Sequence, residues 1–243
     1  MTPIVRKFTR NDAKNWDQLE DKQIFGGNVI DRSYGYAMSS MYWQLGRGEE
    51  APVPAPYDEV WTVMRGKVSI RSDQAAVTAG AGEILLVPKG TPGTAHIEAD
   101  TELLTIAHPP SWEIAPEAWQ AIQAGNQIGS GMKRVSINEV VSWEQVGDQA
   151  FIAHIPDKAG FALGLGFARL APDSALTLAD DYASHDVIIA VTKGAAEVSL
   201  SNSALTMRPG EFVYRPAGNA VVLHAADESE AALVRYPGSD LAA

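Results

Sequence analysis

The sequence is written nearly twice, and that duplication limits the fold more than any other feature. Thr9-Arg10-Asn11-Asp12 leading to Trp16-Asp17-Gln18-Leu19 returns as Ser136-Ile137-Asn138-Glu139 leading to Trp143-Glu144-Gln145-Val146, about 127 positions later. Val63-Met64-Arg65-Gly66 returns as Val191-Thr192-Lys193-Gly194, and Gly82-Glu83 with Pro88 and Gly90 returns as Gly210-Glu211 with Pro216 and Gly218. His96 and His224 keep the same offset. A repeat this long is a duplicated domain, not a solenoid unit. Each half is long enough to bury its own core.

Most of each half reads as short strands separated by glycine and proline, the pattern of an all-β sandwich or barrel. In the first half the strand segments are 36–43, 59–64, 67–71, 83–87 and 103–107. The second half follows in parallel with 163–170, 187–191, 197–200, 212–214, 221–223 and 231–236. Thr9 to Asp12 and Ser136 to Glu139 have capping-box character, so each copy is expected to open with a short helix anchored by Trp16 or Trp143. Between the copies, residues 117–125 form a good helix ended by Gly125. These signals divide the chain into a first domain (1–112), a helical connector (113–131) and a second domain (132–243).

Composition removes several function classes. A formal net charge of −11 with no basic stripe argues against nucleic acid. No apolar run approaches the ~20 residues that span a bilayer, and no apolar stretch follows Arg6, Lys7 and Arg10, so neither a membrane segment nor a secretory signal is expected. The chain has no cysteine, which closes thiol catalysis and thiolate metal sites and suits a cytoplasmic location. There is no Gly-x-Ser-x-Gly elbow and no zinc-protease motif. Gly160, Gly164 and Gly166 lie in a strand pattern without Gly-Lys-Ser/Thr and do not make a phosphate loop.

Glu59-x6-Gly66 followed by Gly82-x5-Pro88-x-Gly90, with the second motif repeated at Gly210, Pro216 and Gly218, resembles the paired motifs of the cupin superfamily. That resemblance implies two tandem cupin barrels, small RmlC-like jelly rolls whose lumen usually holds a metal. The first half is most similar to the ethanolamine-utilisation Q (EutQ-like) cupins. The carrying residues are Tyr57-Asp58-Glu59-Val60, Val63-Met64-Arg65-Gly66, Ala79-Gly80-Ala81-Gly82-Glu83, Val87-Pro88-Lys89-Gly90 and Pro109-Pro110-Ser111-Trp112. The resemblance implies a link to ethanolamine catabolism and an acetate-kinase-like activity. The family member is a single cupin, whereas this chain carries two, so the two barrels are expected to pair within one chain, with a homodimer of such units as a further arrangement.

A cupin metal site uses three histidines and a glutamate. In the first half only Glu59 stands in its place; the histidine positions fall among Ala51, Pro52, Val53, Pro54 and Ala55 and at Gly93. No metal is expected there. In the second half the corresponding positions are Val187 and Val221, but Asp180, Asp181, His185 and Asp186 lie close enough in sequence to admit a rearranged site for a divalent transition metal.

Strand parity sharpens the candidates, because alternate side chains face opposite sides. If Glu59 faces the lumen, so do Tyr57 and Trp61, while Asp58 faces away. By the same register His185 faces the second lumen, and His96 and His224 face outward unless a bulge intervenes. If the protein is an enzyme, the first lumen supplies Glu59 as acid or base, Tyr57 as hydrogen-bond partner, Trp61 as packing wall and Lys89 as anion contact. Tyr42, His96, His185, Arg215 and His224 complete the ligand-binding candidates; Tyr36, Tyr42 and Trp43 also read as core or dimer contacts. The expected function is binding or conversion of a small polar metabolite, a carboxylate or an amine. The alternatives are a non-catalytic assembly module with filled barrels, and a metal-dependent lyase, isomerase or dioxygenase built on His185 and His224.

Overall fold

A computed structural model describes residues 4–125, 131–156, 160–178, 182–200 and 203–238. Nearly all of its regular structure is antiparallel strand, and it divides into two compact units. Asp180 and Asp181 lie outside the described residues. No helix among the described residues is long and apolar enough to cross a membrane.

The unit spanning 13–137 is built around two long strands, Asp58–Arg71 and Thr94–His108, paired antiparallel along most of their length. Their register shifts around Gly66, which takes φ +84°. A Cβ there would stand 2.2 Å from the Asp100 carbonyl oxygen, so only glycine fits. On one side of this break Asp58–Arg71 pairs with Ile84–Val87, and on the other with Ala76–Gly80. One continuous strand thereby serves both layers of a jelly roll. Ser39–Leu45 and Ile24–Ile30 extend the sheet beyond Thr94–His108. The enclosed core holds Val63, Val68, Ile70, Leu85, Val87, Ile97 and Leu103.

The unit containing 138–238 separates the same two layers. Asp186–Lys193 lies centrally in a seven-stranded sheet, and Ala196–Leu200 in a four-stranded one. Aliphatic side chains from both layers meet between them: Val187, Ile189, Val191, Val198, Val213, Val221 and Leu223, all essentially inaccessible to solvent.

The duplication extends to individual hydrogen bonds. The Gly82 amide donates to the Val63 carbonyl and the Gly210 amide to the Val191 carbonyl. The Gly90 amide donates to Ala55 and the Gly218 amide to Ala183, each at 2.8 Å. Asp58 accepts from the Lys89 amide and Asp186 from the Ala217 amide, again at 2.8 Å. The outward acid beside each lumen position is therefore an anchor for the Pro-x-Gly turn.

The compact units are not contiguous halves. The strand Arg6–Phe8 pairs with Phe212–Arg215, and residues 4–12 belong with 138–238. The strand Lys133–Val135 pairs with Ile84–Val87 in the unit of 13–137. These two short strands are themselves repeat equivalents. Lys7 meets Glu211 at 2.8 Å, and Arg134 pairs with Glu83 in the corresponding place.

The short opening helices are single 3-10 turns, Arg10–Asp12 and Ile137–Glu139. Asp12 accepts from the Thr9 amide at 2.8 Å, as a capping box requires, but strand pairing takes over at Lys14–Gln18 before a full helical turn develops. Trp16 consequently sits on an exposed edge strand rather than on a helix. The connector helix Pro116–Gln123 forms with proline in its first turn and Gly125 at φ +84° just beyond its end.

Candidate functional site

A cavity of about 240 Å³ opens inside the first domain. Glu59 and Trp61 line it from the strand Asp58–Arg71 and Tyr57 from the bend just before it, as i+2, i+4 and i on a single face. Trp43, Leu103 and Thr105 contribute from the neighbouring strands, and Trp119 from the connector helix. Residues 51–55 form another wall, apolar throughout. Tyr57 and Trp119 meet edge to face with ring centroids 5.6 Å apart, so the helix brings an aromatic lid to the cavity.

Glu59 is buried, and its Oε2 accepts a hydrogen bond from the Trp61 indole N–H at 3.0 Å. The partner is Trp61 rather than the expected Tyr57 hydroxyl, because the i+2 indole reaches back along the same face. No protein donor reaches Oε1 among the described residues. Burial raises the Glu59 pKa from 4.5 to about 7, partly opposed by the Trp61 hydrogen bond. Tyr57 is also pushed above its ordinary value, first by burial and then by the nearby Glu59 charge, so its phenol stays protonated. The Trp43 indole donates to Thr105 Oγ1 at 3.2 Å.

Local sequence explains the seating of these rings. Gly26 lies directly across from Trp43. A Cβ on Gly26 would stand 2.8 Å from the Trp43 ring, so the missing side chain is the space the indole occupies. Gly27 does the same for Trp16 on the other face, where a Cβ would come within 2.6 Å of that ring.

The remaining sequence candidates stand elsewhere. Lys89 is exposed and absent from the cavity wall; only its backbone is engaged, on Asp58. Tyr42 is buried on the face opposite Trp43 and does not line the cavity, since alternation permits one of the two neighbours and the wall takes Trp43. His96 lies between the lumen residues Ala95 and Ile97 and turns outward to Glu50 at 2.8 Å. Trp119, Trp43 and Thr105 are wall residues that sequence reasoning did not assign to the site.

Among the described residues, the interior of the second domain is packed with aliphatic side chains. Val187 and Ile189 stand where Glu59 and Trp61 stand in the first, and both are fully buried among aliphatic neighbours. Arg215 is not an anion contact. It is buried, and its guanidinium donates to the Tyr182 carbonyl at 2.9 Å, to the His185 carbonyl at 2.8 Å and to the Asn219 carbonyl at 2.6 Å. It clasps two loop segments to the end of the Phe212–Arg215 strand. His185 offers its backbone to this clasp, and its ring lies 3.3 Å from the Ser184 hydroxyl. His224 is exposed, opposite in parity to the core residue Leu223, and lines an open groove with Asp173, Glu197 and Thr206.

These positions decide how a cupin metal would fare. The first lumen offers one carboxyl and no imidazole. At Gly93 a side chain is sterically barred, because φ is +125° and a Cβ would stand 2.4 Å from the Arg71 carbonyl oxygen. Among the described residues no group of three or more histidine, aspartate or glutamate side chains is placed to hold an ion. The donor set of the first lumen does not fit a metal centre.

The two-layered domains and their repeated turns give the cupin fold, here in two copies. Residues 48–114 match the family model described as ethanolamine utilisation protein EutQ, so the first domain is EutQ-like over that stretch. Among solved structures, protein Ylba from E. coli superposes with a TM-score of 0.70 at 10% identity, covering 97% of this chain and 92% of that one. A Bacillus subtilis oxalate decarboxylase variant matches with a TM-score of 0.65 at 16% identity, covering 96% and 77%. A cupin 2 conserved barrel protein from Leptotrichia buccalis matches with a TM-score of 0.61 at 13% identity, covering 96% of each chain. At such identities these likenesses establish the fold. The Bacillus enzyme carries Mn(II) centres; the first lumen described here lacks the ligand pattern for one. No relative is found among curated protein sequences.

Proposed function

We propose that the first domain binds a small organic molecule in its lumen, with Glu59 as the polar group that holds it. The observation carrying this reading is a cavity of about 240 Å³ whose carboxyl keeps one oxygen without a protein donor. A buried carboxyl is costly unless something uses it. At a pKa of about 7, Glu59 can also accept or release a proton at neutral pH, so proton transfer to or from the bound molecule is the conversion it is suited to carry. The packed aliphatic interior of the second domain supports a structural role for that copy. The lack of cysteine suits a cytoplasmic setting, which cell fractionation would test.

The test is a thermal-shift screen of small amines, carboxylates and neutral alcohols. A molecule binding the native state raises the melting temperature in proportion to the logarithm of its concentration above Kd. Glu59→Gln should reduce the shift for charged ligands. A screen in which all shifts survive Glu59→Gln unchanged removes the first lumen from consideration.

A further inference from the structure

The cavity wall also indicates the charge of its occupant. Among the described residues, no lysine, arginine or histidine lines it. Among the described residues its titratable groups are Glu59 and Tyr57, both acids, and neither the facing strands nor the connector helix contributes another. An anion would find no counter-charge there. A cation would find one carboxyl and four aromatic rings, Trp43, Trp61, Trp119 and Tyr57. Such rings attract positive charge, more strongly when water is excluded. Two of the indoles are fixed in place by their own hydrogen bonds, Trp61 to Glu59 and Trp43 to Thr105, so little ordering cost remains on binding.

The acceptor count narrows the class. Besides the Glu59 carboxyl, the side chains of the wall offer the Tyr57 and Thr105 oxygens, and Thr105 also accepts from Trp43. Elsewhere the wall is aliphatic or aromatic. A primary ammonium has three N–H donors to place, a tertiary one has one and a quaternary one none, and most of this wall presents ring faces rather than acceptors. Resting on the ligand reading above, we infer that the first lumen takes a small alkylated ammonium, tertiary or quaternary, with its head among the rings and against Glu59. A dry cavity of about 150 Å³ accommodates benzene, so this one suits a molecule of roughly ten non-hydrogen atoms or fewer. The raised Glu59 pKa agrees: with no neighbouring cation its charged form is unsupported, and a bound one would supply the support. Binding then releases a proton when it occurs below pH 7.

Calorimetric titration at pH 8.5 with tetramethylammonium, choline, ethanolamine, acetate and 3,3-dimethylbutan-1-ol (the uncharged isostere of choline) tests this. The two quaternary probes should bind at least tenfold more tightly than ethanolamine and the isostere, and acetate should not bind. Glu59→Gln should weaken the quaternary probes tenfold or more and leave the isostere unchanged. Lowering the pH to 5.5 should weaken them similarly, with binding heats that depend on the buffer's ionisation enthalpy. Trp119→Leu should weaken them and Trp119→Phe should largely restore them, a comparison that does not depend on the Glu59 variant folding. Equal or tighter binding of the isostere or acetate overturns the cation assignment, and equal or tighter binding of ethanolamine overturns the restriction to alkylated ammoniums, each leaving the lumen as a ligand site. Absence of Glu59-dependent binding by every probe overturns both.

Discussion

Replacing Glu59 with glutamine should make the protein more stable at alkaline pH while leaving it nearly unchanged in acid. The carboxyl has a pKa of about 7 in the folded protein against an ordinary value of 4.5. Below pH 4.5 it is protonated in folded and unfolded chains alike, and no penalty exists. Between 4.5 and 7 the folded chain holds the proton that the unfolded chain releases, so stability falls as pH rises. Above 7 the whole penalty is present. At about 1.4 kcal/mol per pH unit, it amounts to about 3 kcal/mol. Glutamine can still accept the Trp61 indole hydrogen bond and carries no charge, so it removes the penalty and little else. Urea denaturation of both proteins at pH 5 and pH 8.5 measures the effect. The difference, variant minus parent, should rise by about 3 kcal/mol between the two pH values. An equal difference at both, or a variant less stable at pH 8.5, would refute the picture of a desolvated carboxyl without a counter-charge.

Other perturbations probe the frame around the site. Gly26→Ala should cost about 1–3 kcal/mol by driving its Cβ into the Trp43 ring, and should shift tryptophan emission as that ring moves. Arg215→Lys should destabilise the second domain by about 3 kcal/mol, because an ammonium cannot reproduce bonds to three separate carbonyls, and should leave ligand binding in the first domain intact. Leu223→Ala should cost about 2–5 kcal/mol if the second lumen is packed as described, measured by denaturation. His96→Ala, which breaks an exposed pair with Glu50, should change stability by under about 1 kcal/mol and affinity not at all.

Much of the fold was legible because its strongest signals are local or periodic. The repeated glycines mark left-handed backbone turns that favour glycine, and their offset identifies the duplicated domain before any pairing is known. The alternation of Tyr57, Glu59 and Trp61 likewise groups three side chains on one face. Facts that depend on packing between distant segments were not legible. Trp119 lies on a connector helix, and nothing local says which lumen mouth that helix covers. Trp43 and Tyr42 are adjacent aromatic residues, and choosing the one that lines the wall requires the register of the Ser39–Leu45 strand against its neighbours. Arg215 before a proline resembles a mouth-of-barrel anion contact until its guanidinium is seen bonded to backbone carbonyls. Trp16 and Trp143 follow capping sequences, yet only single 3-10 turns precede them because strand pairing competes within a few residues.

The central assertion is that one copy keeps an open, aromatic-walled lumen around a solitary carboxyl while its twin is filled. Co-crystallisation with tetramethylammonium at alkaline pH addresses it most directly. The expected result is added density in the first domain, bounded by Trp43, Trp61 and Trp119 and within reach of Glu59 Oε1, with the second interior packed by Val187, Ile189 and Leu223. Density in the second interior instead, or a first lumen collapsed onto its own side chains, would contradict the account.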